Sequence, residues 1–336
     1  MGSDASGMDR GRYSIRPFAE SDYEEGARLN TIFMPEYPET AEDARRWCGI
    51  VTKDPGRLMR RLIAEEAEPG SVVAWGGLMH TLFNFHPNKY YVRVVVDPAH
   101  RRRGIGQELY RLLEKEAVER NALCLWGNAR EDDPSSVRFL EHQGFVPTRK
   151  TWTSRLSLTD LDPSKFPDRS KALTDSGIRI TTLAAEGADR PEVQQRLYEL
   201  ARITSEDAPR LGEYAPVTFD EFVAIDVGGS NAIPDAIFLA CSAEGYVAWS
   251  SLQLLTGLPD TLDIGFTGTL PEFRGRGIAS ELKRRAVMYA RDRGYRYMVT
   301  GNDSLNPSIW AINEKLGFRK QMVLVQAEKK LQPTES

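Results

Sequence analysis

Two kinds of apolar spacing alternate along the chain. Tyr90-Tyr91-Val92-Arg93-Val94-Val95-Val96 is β-branched and aromatic, the composition of a strand, and Asp97-Pro98 ends it. Beyond a basic, glycine-containing turn, Leu109, Leu112, Leu113, Ala117 and Val118 recur at helical intervals, so the order is strand, loop, helix. The same order returns later, with Leu282, Ala286, Tyr289 and Ala290 following Gly277. Each half also opens on a short β-like segment carrying an Ile-Arg pair, Tyr13-Ser14-Ile15-Arg16 and Gly177-Ile178-Arg179-Ile180. Helical patterns follow these openings at about 20–33 and 190–204.

The recurrence is an internal repeat, and a long-period repeat decides architecture before any local reading does. Pro98-Ala99-His100-Arg101-Arg102-Arg103-Gly104-Ile105-Gly106 is echoed by Pro271-Glu272-Phe273-Arg274-Gly275-Arg276-Gly277-Ile278-Ala279, with 277 − 104 = 173. Gly144-Phe145 matches Gly317-Phe318 at the same offset, 317 − 144 = 173. Val73-Ala74-Trp75 matches Val247-Ala248-Trp249, where 249 − 75 = 174. A length of 336 residues also suits two hydrophobic cores. The expected organisation is a disordered leader at 1–11, a first domain at 12–158, a Pro/Asp/Ser-rich linker at 159–176 and a second domain at 177–332.

A strand-to-helix loop of this kind aims unpaired backbone N–H groups and the positive end of a helix dipole at one point, which favours an anion. Glycine permits close approach and positive φ, and arginine adds charge-assisted bonds to phosphate. One such loop alone is equally a charged turn. Two copies, in register with two copies of Gly-Phe, favour phosphate.

At these residues the chain resembles the GNAT superfamily of N-acetyltransferases. Arg101-x-x-Gly104-x-Gly106 and Arg274-x-x-Gly277-x-Ala279 look like its pyrophosphate-binding motif, and the segment from Asn306 to Phe318 looks like its later helix. The resemblance implies an α/β (α+β) fold of two tandem acyl-CoA N-acyltransferase domains, each a mixed, mostly antiparallel sheet flanked by helices. It also implies acetyl-CoA as cofactor and direct acetyl transfer to a primary amine of a small molecule. The strand before each loop is expected to splay from its neighbour and bond the pantetheine arm through the backbone of Val94, Val95 and Val96, and of Thr267, Gly268 and Thr269. The cofactor loops comprise Arg101, Arg102, Arg103, Gly104, Ile105, Gly106 and Gln107, and Arg274, Gly275, Arg276, Gly277, Ile278, Ala279 and Ser280, with Asn128, Asn302 and Asn306 nearby.

Many family members carry a Tyr acid four residues before the Gly-Phe glycine; here that position is Leu140 in the first half and Asn313 in the second. The second half keeps Asn306 where the first has Asp133, and so is expected to be the catalyst. Its candidate catalytic groups are Asn313, to orient the sulfur or a water, and Asp263, Glu206 or Asp207 as base. Each of these carboxylates is alternatively a solvated or capping residue. In the first half Glu36 and Tyr37 are candidates to line the corresponding cleft. The competing reading is an acyl-CoA-binding regulator without turnover.

A formal net charge of −4 gives no basic field for nucleic acid. Cys48, Cys124 and Cys241 form no paired framework and read as buried thiols of a cytoplasmic protein, and no apolar run approaches the roughly 20 residues of a membrane span. His80 and His86 lack a third ligand, so no metal is expected. Trp75 and Trp249 read as packing residues. A monomer or homodimer is expected.

Overall fold

The computed structural model describes residues 12–68, 70–159, 161–162 and 166–331; the leader expected at 1–11 lies outside them. The chain forms two compact units, residues 1–149, 211–215 and 324–336, and residues 150–210 and 216–323.

The first unit contains β1 (Tyr13–Pro17), α1 (Tyr23–Phe33), α2 (Ala41–Thr52), β2 (Met59–Glu66), β3 (Val72–Met79), β4 (Lys89–Val96), α3 (Ile105–Glu119), β5 (Cys124–Arg130) and α4 (Pro134–His142). Consecutive strands β1 to β4 pair antiparallel, and β4 and β5 pair parallel across the α3 crossover. Alternation along β4 sends Tyr90 and Val92 into one core with Leu109, Leu113 and Ala117 of α3, while Val95 joins Leu29, Ile63 and Trp75 in a second core beneath α1.

The second unit contains most of β6 (Val146–Ser157), then α5 (Ser170–Asp175), β7 (Arg179–Thr182), α6 (Leu183–Glu186), α7 (Pro191–Ser205), α8 (Phe219–Phe222), β8 (Ala232–Ser242), β9 (Gly245–Leu254), β10 (Thr261–Thr269), α9 (Ile278–Asp292), β11 (Tyr297–Asp303) and α10 (Pro307–Lys315). The antiparallel run β7, β8, β9, β10 and the parallel pair β10 and β11 repeat the first unit's plan. Leu282, Ala286 and Val287 of α9 cover one face, and Leu197, Leu200 and Ala201 of α7 cover the other with Trp249.

The unit limits differ from a simple cut at the linker. The strand after Phe145 pairs with β11, Thr151 to Ser157 lying opposite Asp303 to Tyr297, and so completes the second unit's sheet. The last strand, β12 (Arg319–Lys330), pairs with β5 through Leu324 to Lys330 and completes the first unit's. Linker character is also incomplete: Phe166 and Leu173 are buried in the second unit's core, and α5 forms within the segment. A Pro/Asp/Ser-rich composition conceals two apolar anchors whose burial fixes the chain. Among the described residues no helix is long and apolar enough to cross a membrane.

Candidate active site

Each loop turns by the same backbone device. Arg102 and Gly104 in the first have φ of 63° and 76°, and Gly275 and Gly277 in the second have 75° and 78°. Gly104 and Gly277 are the left-handed N-caps of α3 and α9, and Ile105 and Ile278, both 1% exposed, pin the first turns to the cores. The first returning helical bonds run from Glu108 N–H to Gly104 O at 3.0 Å and from Glu281 N–H to Gly277 O at 3.1 Å. The N–H groups just ahead of them have no acceptor within the helix and are free for an anion.

The leading arginines do something the sequence did not reveal. Arg101 Nε donates to Val96 O at 3.2 Å, and Arg274 Nε donates to Thr269 O at 3.1 Å, so each ties its loop back to the end of the preceding strand. Their outer nitrogens meet carboxylates, Asp133 at 3.0 Å and Asp207 at 2.7 Å. Arg103 donates to the Tyr13 hydroxyl at 2.5 Å, and Arg276 to Glu272 O at 3.0 Å. Gln107 is bonded to Gln143 at 3.2 and 2.8 Å. Ala279 and Ser280 lie in the first turn of α9, while Arg102 is exposed.

Ahead of each loop the parallel strands part. The β4–β5 register runs from Lys89 opposite Cys124 to Tyr91 opposite Trp126, and Val94, Val95 and Val96 lie beyond it. The β10–β11 register ends at Ile264 opposite Thr300, ahead of Thr267, Gly268 and Thr269. In the second unit a bulge falls at that point, the β9–β10 register shifting between Ile264 and Phe266 around Gly265. The Oδ1 of Asn128 and the Oγ1 of Thr269 are buried without a hydrogen-bond partner among the described residues. Open strand edge, free N–H groups and orphaned polar atoms together suit a long phosphate-bearing arm.

The candidate catalytic side chains do not converge. Asn313 is fully buried, and its Nδ2 donates to Asn302 Oδ1 at 2.7 Å. Asn302 Nδ2 in turn meets Ser154 Oγ at 2.8 Å, Thr300 O at 3.2 Å and Trp152 O at 3.3 Å. Asn306 caps α10, accepting from Ile309 N–H at 3.3 Å, as Asp133 caps α4. Glu206 faces Arg202 at 3.6 Å, and the Glu206 and Asp207 side chains, 51% and 62% exposed, have nothing to strip their water. Asp263 is half-buried on β10, and its charge acts on Lys283 of α9, whose ammonium burial pushes down to about 8. In the first unit Glu36 pairs with Arg130 at 2.9 and 3.2 Å. Cys48 is half-buried, unlike Cys124 and Cys241, because it lines a cavity beside α1.

Asp226, which sequence reasoning missed, has the chemistry those candidates lack. It lies in a π-helical turn, Val223–Val227, directly after α8, and desolvation raises its carboxyl to about 7. Gln253 Nε2 donates to Asp226 Oδ1 at 3.3 Å. The same Gln253 amide lies 3.3 Å from where a Cβ on Gly265 would stand, which places it at the bulge. The available signal was one carboxylate inside the apolar run Phe222-Val223-Ala224-Ile225-Asp226-Val227.

The sequence profile of the acetyltransferase (GNAT) family matches twice, over residues 26–145 and 197–318. A mycothiol acetyltransferase of Stackebrandtia nassauensis is 25% identical over 316 residues, covering 90% of this chain and 97% of that protein. Another, of Nocardiopsis dassonvillei, is 28% identical over 239 residues, covering 67% of this chain and 70% of that one. Among solved structures, a tandem GNAT protein of the clavulanic acid biosynthesis pathway superposes with a TM-score of 0.71 at 19% identity, over 96% of this chain and all of that one. A GCN5-related N-acetyltransferase of Sphaerobacter thermophilus gives 0.71 at 20% identity, over 97% and 98%. With two profile matches on the two loop-bearing halves, this chain belongs to the acetyltransferase (GNAT) family and is a tandem N-acetyltransferase that uses acetyl-CoA.

Proposed function

We propose that the acetyl acceptor is a primary amine of a small molecule, acetylated directly in a ternary complex at the second unit, with Asp226 as base. The observation that carries this reading is the coincidence, at Gly265, of the strand parting, the bulge and the Gln253–Asp226 pair. An alkyl amine with a lysine-like pKa near 10.4 is almost wholly protonated at neutral pH and must lose a proton before attack. A carboxyl raised to about 7 is ionised about half the time at neutral pH and takes that proton in an uphill step, which attack of the neutral amine on the thioester draws forward. Acetyl-CoA supplies an activated thioester, so the C–N bond forms as the C–S bond breaks. The thiol, near 8.5 by analogy with cysteine, leaves with little need of an acid.

The backbone of Thr267, Gly268 and Thr269 would hold the pantetheine arm, and the N–H groups at Gly277 the pyrophosphate. Gly268 is confined on its other side: a Cβ there would stand 2.6 Å from Thr204 Cβ and from Phe266 Cε1. The backbone, not a side chain, is therefore what this strand offers. Thiol release from acetyl-CoA in the presence of a panel of small amines tests the proposal. Release with at least one amine, abolished in Asp226→Asn, supports it, whereas release undiminished in that variant removes Asp226 as the base.

A further inference from the structure

The first unit holds a cavity of about 210 Å³ between α1, α2 and strands β2 to β4, larger than the roughly 150 Å³ that encloses benzene. Its floor follows from register. Arg61, Gly77 and Arg93 are Cα partners across three neighbouring strands, so they share one face, and the glycine between the two guanidiniums contributes no side chain. The next row on the same face is Ile63, Trp75 and Val95.

Polar atoms around this cavity are left without partners. Trp75 Nε1, Tyr91 Oη, Arg93 Nε and Asn30 Oδ1 are all buried and make no hydrogen bond among the described residues. Three of the four are on the sheet face beside the arginines and can donate. Asn30 Oδ1 accepts, and its Nδ2 donates to Glu39 Oε2 at 2.5 Å, so the opposite wall is an acceptor. Burial raises the Glu39 carboxyl above its ordinary value, against the opposing charges of Arg93 and Arg61. The Phe18 ring forms an apolar side, with the Arg61 guanidinium 3.7 Å from its centroid and Arg61 Nη2 donating to the Tyr23 hydroxyl at 2.8 Å.

The second unit fills the corresponding space. Its matching row is Ile237, Ser251 and Phe266, with no charge, and Phe266 stacks on Trp249 at 5.0 Å between centroids. Trp249 Nε1 is satisfied by Thr204 Oγ1 at 3.1 Å, whereas its counterpart Trp75 is not. The arginine pair is therefore not a requirement of the fold.

We infer that the first unit's cavity is a binding site for a small amino-acid-type zwitterion, its carboxylate held by Arg61, Arg93, Trp75 and Tyr91 and its ammonium by Glu39 and Asn30. The site is separate from the proposed transfer site at Gly265 and does not depend on which unit transfers acetyl.

Calorimetric titration of the full chain without acetyl-CoA tests this with glycine, L-leucine, L-phenylalanine and L-glutamate. Isopentylamine and phenethylamine serve as decarboxylated counterparts, and 4-methylpentanoate and 3-phenylpropanoate as deaminated ones. At least one amino acid is expected to bind saturably, with its counterparts at least tenfold weaker. Arg93→Gln should weaken that binding at least tenfold, and Gly277→Val should leave it unchanged. Tyr91→Phe, which keeps the ring and removes only the Oη donor, should weaken it severalfold and gives the answer if Arg93→Gln does not fold. Binding by none of the four, equal binding of a counterpart, or affinity untouched in the folded variants overturns the inference.

Discussion

Arg102 and Gly275 hold the same left-handed backbone, φ 63° and 75°, at repeat-equivalent positions, since 275 − 102 = 173. One loop thus places an L side chain where the other uses glycine, and tolerates a conformation that costs about 1–2 kcal/mol per residue. Two residues later both loops use glycine, at Gly104 and Gly277. The surroundings explain part of the difference: a Cβ on Gly275 would meet nothing within 4 Å, whereas one on Gly277 would stand 3.2 Å from Arg169 Cδ and Nη1.

Gly275→Arg should therefore fold and lose about 1–2 kcal/mol of stability in urea denaturation, the intrinsic cost of the conformation alone. Gly277→Val, which adds a β-branch and a clash with Arg169, should lose more. Equal losses at the two positions would show that backbone strain alone governs the loop.

Glu281, wholly buried in the first turns of α9, gathers Arg284, Arg285, the Ser170 hydroxyl and the Arg169 N–H around one carboxylate. Despite the desolvation that pushes it up, these partners hold its carboxyl below the ordinary value of 4.5. A depressed carboxyl contributes stability that is full above its ordinary value and disappears as the pH falls through the lowered one. Glu281→Ala should cost about 3–5 kcal/mol at pH 7, because two arginines lose their partner, and the gap to the parent protein should narrow below pH 4. Urea denaturation at pH 7 and pH 3.5 measures both, and a gap that stays constant would remove the charge argument.

How far these features were legible depends on whether they are local. The repeat, the loops and the strand-loop-helix order are set by residues within a few positions of one another, and periodicity exposes them. The pairing of residues 324–330 with β5 is a long-range choice, and nothing in Leu324 to Lys330 distinguishes one β5-like partner from another. The roles of Arg101 and Arg274 were missed for a related reason. A guanidinium reaching back five residues to a strand carbonyl has the same sequence as one reaching forward to phosphate. Asp226, half-buried, acquires its character from desolvation beside Gln253, a partner 27 residues away on another element.

Counting functional loops by calorimetry with coenzyme A gives the next prediction. Gly104→Val and Gly277→Val should each remove one binding event, if both loops are competent, because each blocks N–H groups at a left-handed cap. With an amine substrate in hand, Gly277→Val should lower kcat/KM by orders of magnitude while Gly104→Val changes it modestly. If Gly104→Val is the more damaging and remains folded, transfer belongs to the first unit.

The Asp226 carboxyl makes the sharpest claim on pH. Its ordinary value is 3.8, and desolvation raises it to about 7, so below neutrality it is protonated and unable to accept a proton from the amine. Log kcat/KM should climb with unit slope as the pH approaches about 7, level there, and fall nearer 10 as the ammonium that the base must deprotonate is itself lost. Asp226→Asn should lower the rate about 10²- to 10⁴-fold and erase the bend near 7, leaving a rate that climbs with the fraction of unprotonated amine toward 10. Stability should move in the opposite sense. A raised carboxyl contributes stability that is full below its ordinary value of 3.8 and is lost progressively as the pH rises from there to about 7, because the unfolded chain gives up its proton first. The neutral amide of Asp226→Asn escapes that loss, so its stability relative to the parent protein should increase between pH 4 and 7 in urea denaturation and level off above that. A rate bend that survives in the Asn variant would assign the base to another group. A stability difference independent of pH would show instead that Asp226 is solvated and titrates as an ordinary carboxylate.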